Sequence, residues 1–240
     1  SPAAHMAPSS RRIELSHVRV VDSLEDLLHA PFAGRCNAIV WPRSLAGDFD
    51  EVVRAVGPVQ ELVRLDEDAL AALPVGAAGS RAVATLRADL QALRDAGHEP
   101  ELDCIASYRR DSDPVLPTDV HSFHVDSATA PTDTLLCCYS GTPGELLARE
   151  EAEAWIDVPR VRAALLDRYG GRDDEGFADY LREGHFDLHH RPLAHARPHS
   201  MGRGNLWRLA VEYPGSPVPA CIHRAPTTRP GDAPRLLLIS

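Results

Sequence analysis

The sequence of 240 residues contains no apolar run approaching the roughly 20 residues of a membrane-spanning helix, because charges or prolines interrupt every candidate stretch. Basic charge is in deficit: 25 Lys and Arg face 35 Asp and Glu, for a formal net charge of -10. A nucleic-acid binder needs a basic face to displace phosphate counterions, so that class is set aside. The five cysteines (Cys36, Cys104, Cys137, Cys138 and Cys221) form no CxxC pair, which argues against a zinc knuckle and against a disulfide framework. Four of them sit in apolar runs, where a reduced thiol behaves as a small hydrophobe. GxSxG, GxGxxG and GxxxxGK[ST] are all absent, and with them the nucleophile elbow and the common phosphate loops. Trp41, Trp155 and Trp207 are too scattered to build a stacking platform, and there is no internal repeat.

What remains is an ordinary balance of 44% hydrophobic and 25% charged residues, enough for a real core. The opening SPAAHM reads as a vector remnant before a native Met6 and lacks the apolar centre of a signal peptide. Residues 1–12 are expected to form a disordered tail, and residues 13–240 a single domain in a reducing, cytoplasmic compartment, away from membranes.

Two textures divide the chain. Residues 13–99 read as mainly helical after strands over 13–21 and 37–41. Phe49, Val52, Val53 and Val56 recur at helical spacing, as do Leu62, Val63 and Leu65, and Val83, Leu86, Leu90 and Leu93 form the clearest stripe. Gly97 stands where a C-terminal cap belongs. Residues 100–240 carry short β-favouring runs separated by turn residues, which suggests a barrel or jelly roll within an α+β fold. A helical insert interrupts that core over 144–204, ending in a polar stretch rich in histidine. Its paired glycines and prolines suggest a mobile cover over the site.

The chemistry concentrates in SFHVDS. In an extended segment residues two apart face the same side, so His124 and Asp126 converge while His121 points away. His223 ends a later strand, PACIHRA. Two histidines and one carboxylate make the facial triad of non-haem Fe(II) oxygenases, with coordination positions left open. Arg235 opens the last strand, PRLLLIS, and its planar fork of donors is the natural partner of a carboxylate.

In order and spacing, His124, Asp126, His223 and Arg235 resemble the HxD…H…R pattern of the Fe(II)/2-oxoglutarate-dependent oxygenases. The resemblance implies a double-stranded β-helix core, iron held by the first three residues, and the distal carboxylate of 2-oxoglutarate held by Arg235. CNAIVWPR (36–43), FHVD (123–126), the Tyr139–Gly141 turn, HRAP (223–226) and the final PRLLLIS also resemble an uncharacterised bacterial family, over most of the chain outside 144–204. Tyr139 follows as a second co-substrate contact. Arg109, His189, His190, Arg191 and Arg197 are the candidate substrate contacts. The expected activity is hydroxylation, desaturation or cyclisation of a small molecule with O2 as co-substrate. A cupin-like dioxygenase or isomerase without 2-oxoglutarate, and a non-catalytic binding barrel, are the alternatives.

Overall fold

The computed structural model describes residues 12–240, so all but the last residue of the expected tail lies outside it. The chain begins with β1 (Val18–Val20), α1 (Leu24–His29), β2 (Ala38–Trp41), α2 (Phe49–Val56), β3 (Leu62–Arg64), α3 (Glu67–Ala71) and α4 (Ala77–Asp95). Local chemistry sets these boundaries. Asp48 and Asp66 cap α2 and α3, accepting from the amides of Glu51 and Ala69 at 3.0 and 2.8 Å. Gly97, with φ of 90°, turns the chain out of α4, and the His98 amide bonds back to the Leu93 carbonyl at 3.0 Å.

Next come β4 (Glu101–Ile105), β5 (Asp133–Ser140), β6 (Glu145–Leu147), β7 (Ala152–Ala154), α5 (Pro159–Tyr169), α6 (Glu175–Glu183), β8 (His190–Pro192), β9 (His199–Ser200), β10 (Leu206–Ala210), β11 (Ile222–Arg224) and β12 (Arg235–Ile239). Seven strands form one sheet in the order β1-β2-β10-β5-β12-β4-β3. All its pairings are antiparallel except β1 with β2. A three-stranded sheet, β11-β6-β9, and a two-stranded one, β7-β8, complete the α+β architecture.

Strand alternation sorts the large sheet's side chains into two layers. Ile39, Leu135, Cys137, Tyr139, Leu236 and Leu238 pack under the apolar stripes of the four helices, including Leu86, Leu90 and Leu93 of α4. From the opposite face, Ala38, Val40, Trp207 and Leu209 meet Leu146 and Cys221 on the side of the small sheet. Between the two sheets lies the interior that holds the site.

Three expectations need correction. Leu62 and Val63 belong to a strand, because β3 pairs with β4 across Leu62↔Ile105 and Val63↔Cys104; a run this short fits either period, and tertiary pairing decides it. The first strand is only Val18–Val20, not residues 13–21. The insert over 144–204 is a packed layer and not a loose cover. Val161 and Leu165 of α5 and Phe177 and Leu181 of α6 bury against Leu116 and Phe186 in a core of their own, and β6 and β9 belong to the small sheet.

Candidate metal centre

The HxD segment forms no ladder of its own; it is extended chain pinned by isolated bridges from His124 to His189 and to His223. The amide of His124 donates to the carbonyl of His223 at 2.9 Å, and the reverse bond is also 2.9 Å. The Val125 amide bonds to the Leu188 carbonyl at 3.0 Å, and the Glu212 amide to that of Asp126 at 2.8 Å. Phe123 and Val125 are buried against Leu147, Ala220 and Ile222. With these two facing one way, period-two alternation turns His124 and Asp126 the other way, toward His223.

Backbone carbonyls fix the histidine tautomers. Nδ1 of His124 lies 2.7 Å from the carbonyl of Ser122, and Nδ1 of His223 lies 3.1 Å from that of Cys221. A carbonyl only accepts, so Nδ1 carries a proton in both rings, and Nε2 is the nitrogen turned toward Asp126. The two Nε2 atoms stand 3.7 and 3.6 Å from the two oxygens of Asp126. Thr134, on β5, donates to Oδ2 of Asp126 at 2.7 Å and fixes the carboxylate's orientation. One ligand atom from each of the three residues lies within 4.8 Å of the others.

Burial, reinforced by the neighbouring His223, pushes the pKa of His124 down to about 4, so its imidazole is neutral near pH 7. A neutral ring with its proton on the far nitrogen can ligate a metal ion through the other nitrogen. Two imidazole nitrogens and one carboxylate fit Fe(II) or a similar first-row divalent ion, and the outer-shell contacts from Ser122, Cys221 and Thr134 are those such a site needs.

The triad opens into a cavity of about 140 Å³ between the sheets, lined also by Tyr108, Leu136, Cys138, Leu237 and Arg235. Arg235, Leu237 and Ile239 alternate into this cavity while Leu236 and Leu238 face the helices. The Arg235 side chain is almost wholly buried, and its Nε donates to the Thr142 carbonyl at 2.8 Å. Among the described residues no carboxylate pairs with its guanidinium. A buried cation without a counter-charge is costly, and an anionic ligand is what relieves it. Gly141 is required beside it: φ there is 83°, and a Cβ would stand 2.9 Å from Cγ of Arg235.

The remaining expected residues lie elsewhere. Tyr139 is on the helix-covered face of β5, stacked on Phe49 with its hydroxyl bonded to Asp89, so it does not reach the cavity. Its strand neighbour Cys138 does. Arg109 is exposed, and the adjacent Tyr108 is the residue that lines the cavity. Arg191 is paired with Glu153 on the two-stranded sheet, and Arg197 is exposed. His190 is buried with Nδ1 against the Leu188 carbonyl at 3.1 Å. His189 alone of the insert's candidates meets the centre, its ring 5.6 Å from that of His124 and its buried Nδ1 without a partner. Thr134 and Tyr108 escaped the sequence reading. Thr134 shares its strand face with Leu136 and Cys138, and that alternation was the available signal.

Among the described residues no helix is long and apolar enough to cross a membrane. Comparison of the chain with protein-family models, with curated proteins and with solved structures gives no match in any of the three.

Proposed function

We propose that the protein is a non-haem Fe(II)/2-oxoglutarate-dependent oxygenase acting on a small organic molecule. The observation that carries this reading is the buried, unpaired Arg235 opening into the same cavity as a two-histidine, one-carboxylate cluster. The strand order supports the double-stranded β-helix it calls for. The His124 segment, β11, β6 and β9 are hydrogen-bonded in sequence, facing β4, β12, β5 and β10 of the large sheet. Free cysteines are consistent with a reducing cytoplasmic setting.

His124, Asp126 and His223 would hold the iron, which when bound supplies the oxygen-activating chemistry that couples decarboxylation of 2-oxoglutarate to oxidation of a substrate. The protein's part is geometric and electrostatic. Ser122 and Cys221 keep the imidazole lone pairs facing inward, and Thr134 keeps the carboxylate from swinging away. Arg235 offers its fork to the far carboxylate of the co-substrate, with the Tyr108 side chain beside it. Leu136, Leu237 and Trp207 keep the cavity apolar around those charges, which strengthens each pairing.

Anaerobic titration tests the reading. Fe(II) followed by 2-oxoglutarate should produce the visible charge-transfer band of the chelate, and air should then release succinate slowly even without substrate. Metal binding with no response to 2-oxoglutarate would favour a cupin-like enzyme that binds substrate directly. Failure to bind any divalent ion would overturn the metal centre itself.

A further inference from the structure

A second cavity, of about 290 Å³, lies behind the wall that bounds the first. Residues 120–124 build that wall: Val120 and His124 face the first cavity, while His121 and Ser122 face the second. The rings of Tyr108 and His121 meet edge to face across the partition, 5.9 Å between centroids. The volume sits at the lower end of small-molecule sites, which run from roughly 300 to 1,000 Å³.

Its lining is chemically specific. His121 is more than nine-tenths buried, and its Nδ1 lies 3.0 Å from the Pro226 carbonyl. Nδ1 therefore carries the proton, and Nε2 is an acceptor with no protein partner among the described residues. Burial lowers the pKa of this ring, which keeps it neutral and accepting. Arg160 also lines the cavity and pairs with no carboxylate among the described residues. It stands in the first turn of α5, where the cap residue Val158 offers no side-chain bond to the free amides. Arg110, by contrast, is neutralised by Asp119 at 3.2 Å. The cavity is thus lined by one exposed guanidinium without a carboxylate partner, one acceptor on a buried ring, and the half-buried Trp155.

We propose that this cavity binds a small carboxylate bearing an N–H or O–H donor and a flat apolar body, the class of an N-acylated amino acid. The carboxylate pairs with Arg160 and the free amides of α5, the donor reaches Nε2 of His121, and the apolar body lies against Trp155. The inference goes beyond the oxygenase reading: residues 120–124 separate this ligand from the metal cavity, so it names a second binding site and not the molecule oxidised at the metal.

The test is isothermal titration of the metal-free full chain with hippurate, which carries all three features. The wild-type protein should show saturable one-to-one binding, and the methyl ester of hippurate should not bind. Because a charge-assisted pair is lost, Arg160→Ala should weaken binding about tenfold. His121→Phe keeps an aromatic ring against Tyr108, removes the acceptor, and should weaken binding as well. Arg235→Gln, in the first cavity, should leave hippurate binding unchanged. Absence of saturable binding, equal binding by Arg160→Ala, or loss in Arg235→Gln would each overturn the assignment. No iron or 2-oxoglutarate is present in the cell, so either result leaves the oxygenase reading to be judged by its own titration.

Discussion

His124 and His223 come from distant parts of the chain, yet each donates its backbone amide to the other's carbonyl at 2.9 Å. Their rings follow, with centroids 4.7 Å apart. The ligand geometry is therefore a property of paired main chain, and side-chain truncation should leave the pairing in place.

Either His124→Ala or His223→Ala should remove metal binding while far-UV circular dichroism stays that of the wild type. The loss of affinity should exceed the roughly 10–100-fold that removal of an outer-shell partner produces. A variant that retains the wild-type affinity for Fe(II) under anaerobic conditions would disprove the ligand assignment.

Thr134→Val should fall within that outer-shell range, weakening metal binding about 10–100-fold, because the 2.7 Å bond orienting Asp126 is lost at nearly constant volume. Competition against a chromogenic chelator measures it. Unchanged affinity would mean that Asp126 is oriented without the hydroxyl.

For Arg235→Lys, the dissociation constant for 2-oxoglutarate should rise well beyond any change in iron affinity, since Lys keeps the charge but loses the planar fork. Gly141→Ala should mimic it by a different route. The added Cβ would meet Arg235 at 2.9 Å from a backbone with φ of 83°. Equal effects of either change on iron and on 2-oxoglutarate would argue that the arginine serves packing alone.

Acid should destabilise the metal-free protein in a defined window. His124 and His189 have folded pKa values lowered to about 4, mainly by burial, against 6.5 for an unperturbed ring. Between those values the unfolded chain binds more protons than the native one, so stability is full above about pH 6.5 and declines as pH falls toward about 4. Denaturant midpoints across this range should show the decline, and His189→Gln should make it shallower. A flat profile would mean that these rings are not buried neutral in solution.

Asp89→Ala should cost about 3–5 kcal/mol, since it strands the buried guanidinium of Arg43. Arg43 bonds both oxygens of Asp89, at 2.8 and 2.9 Å, and Asp89 also takes the Tyr139 hydroxyl. Because this cluster lies on the helix-covered face of the sheet, iron affinity should not change. Urea unfolding and metal titration of the same variant separate the two effects.

The sequence made parts of this structure readable because some signals are local. The stripe of Leu86, Leu90 and Leu93 needs only one helix to be recognised, and His124 with Asp126 needs only one extended segment. Errors arose where a partner strand decides. Tyr139 and Arg109 each missed the cavity by one position, their neighbours Cys138 and Tyr108 taking the inward face. In a strand a shift of one residue exchanges the two faces, and the irregular register between β12 and β5 at Leu236 and Leu237 hides the phase from inspection. In the insert the helices are legible from their spacing, but the burial of Val161, Leu165, Phe177 and Leu181 depends on Leu116, a partner from outside it.

The absence of a regular ladder around His124 has one more consequence. A segment held by isolated bridges can detach without unfolding the sheets, so its opening free energy is a fraction of the global one. An ion gripped by His124, Asp126 and His223 would rivet that segment to β11. Hydrogen exchange at the amides of His124 and Val125 would then report the occupancy of the metal, slowing in proportion as the ion's concentration passes its dissociation constant.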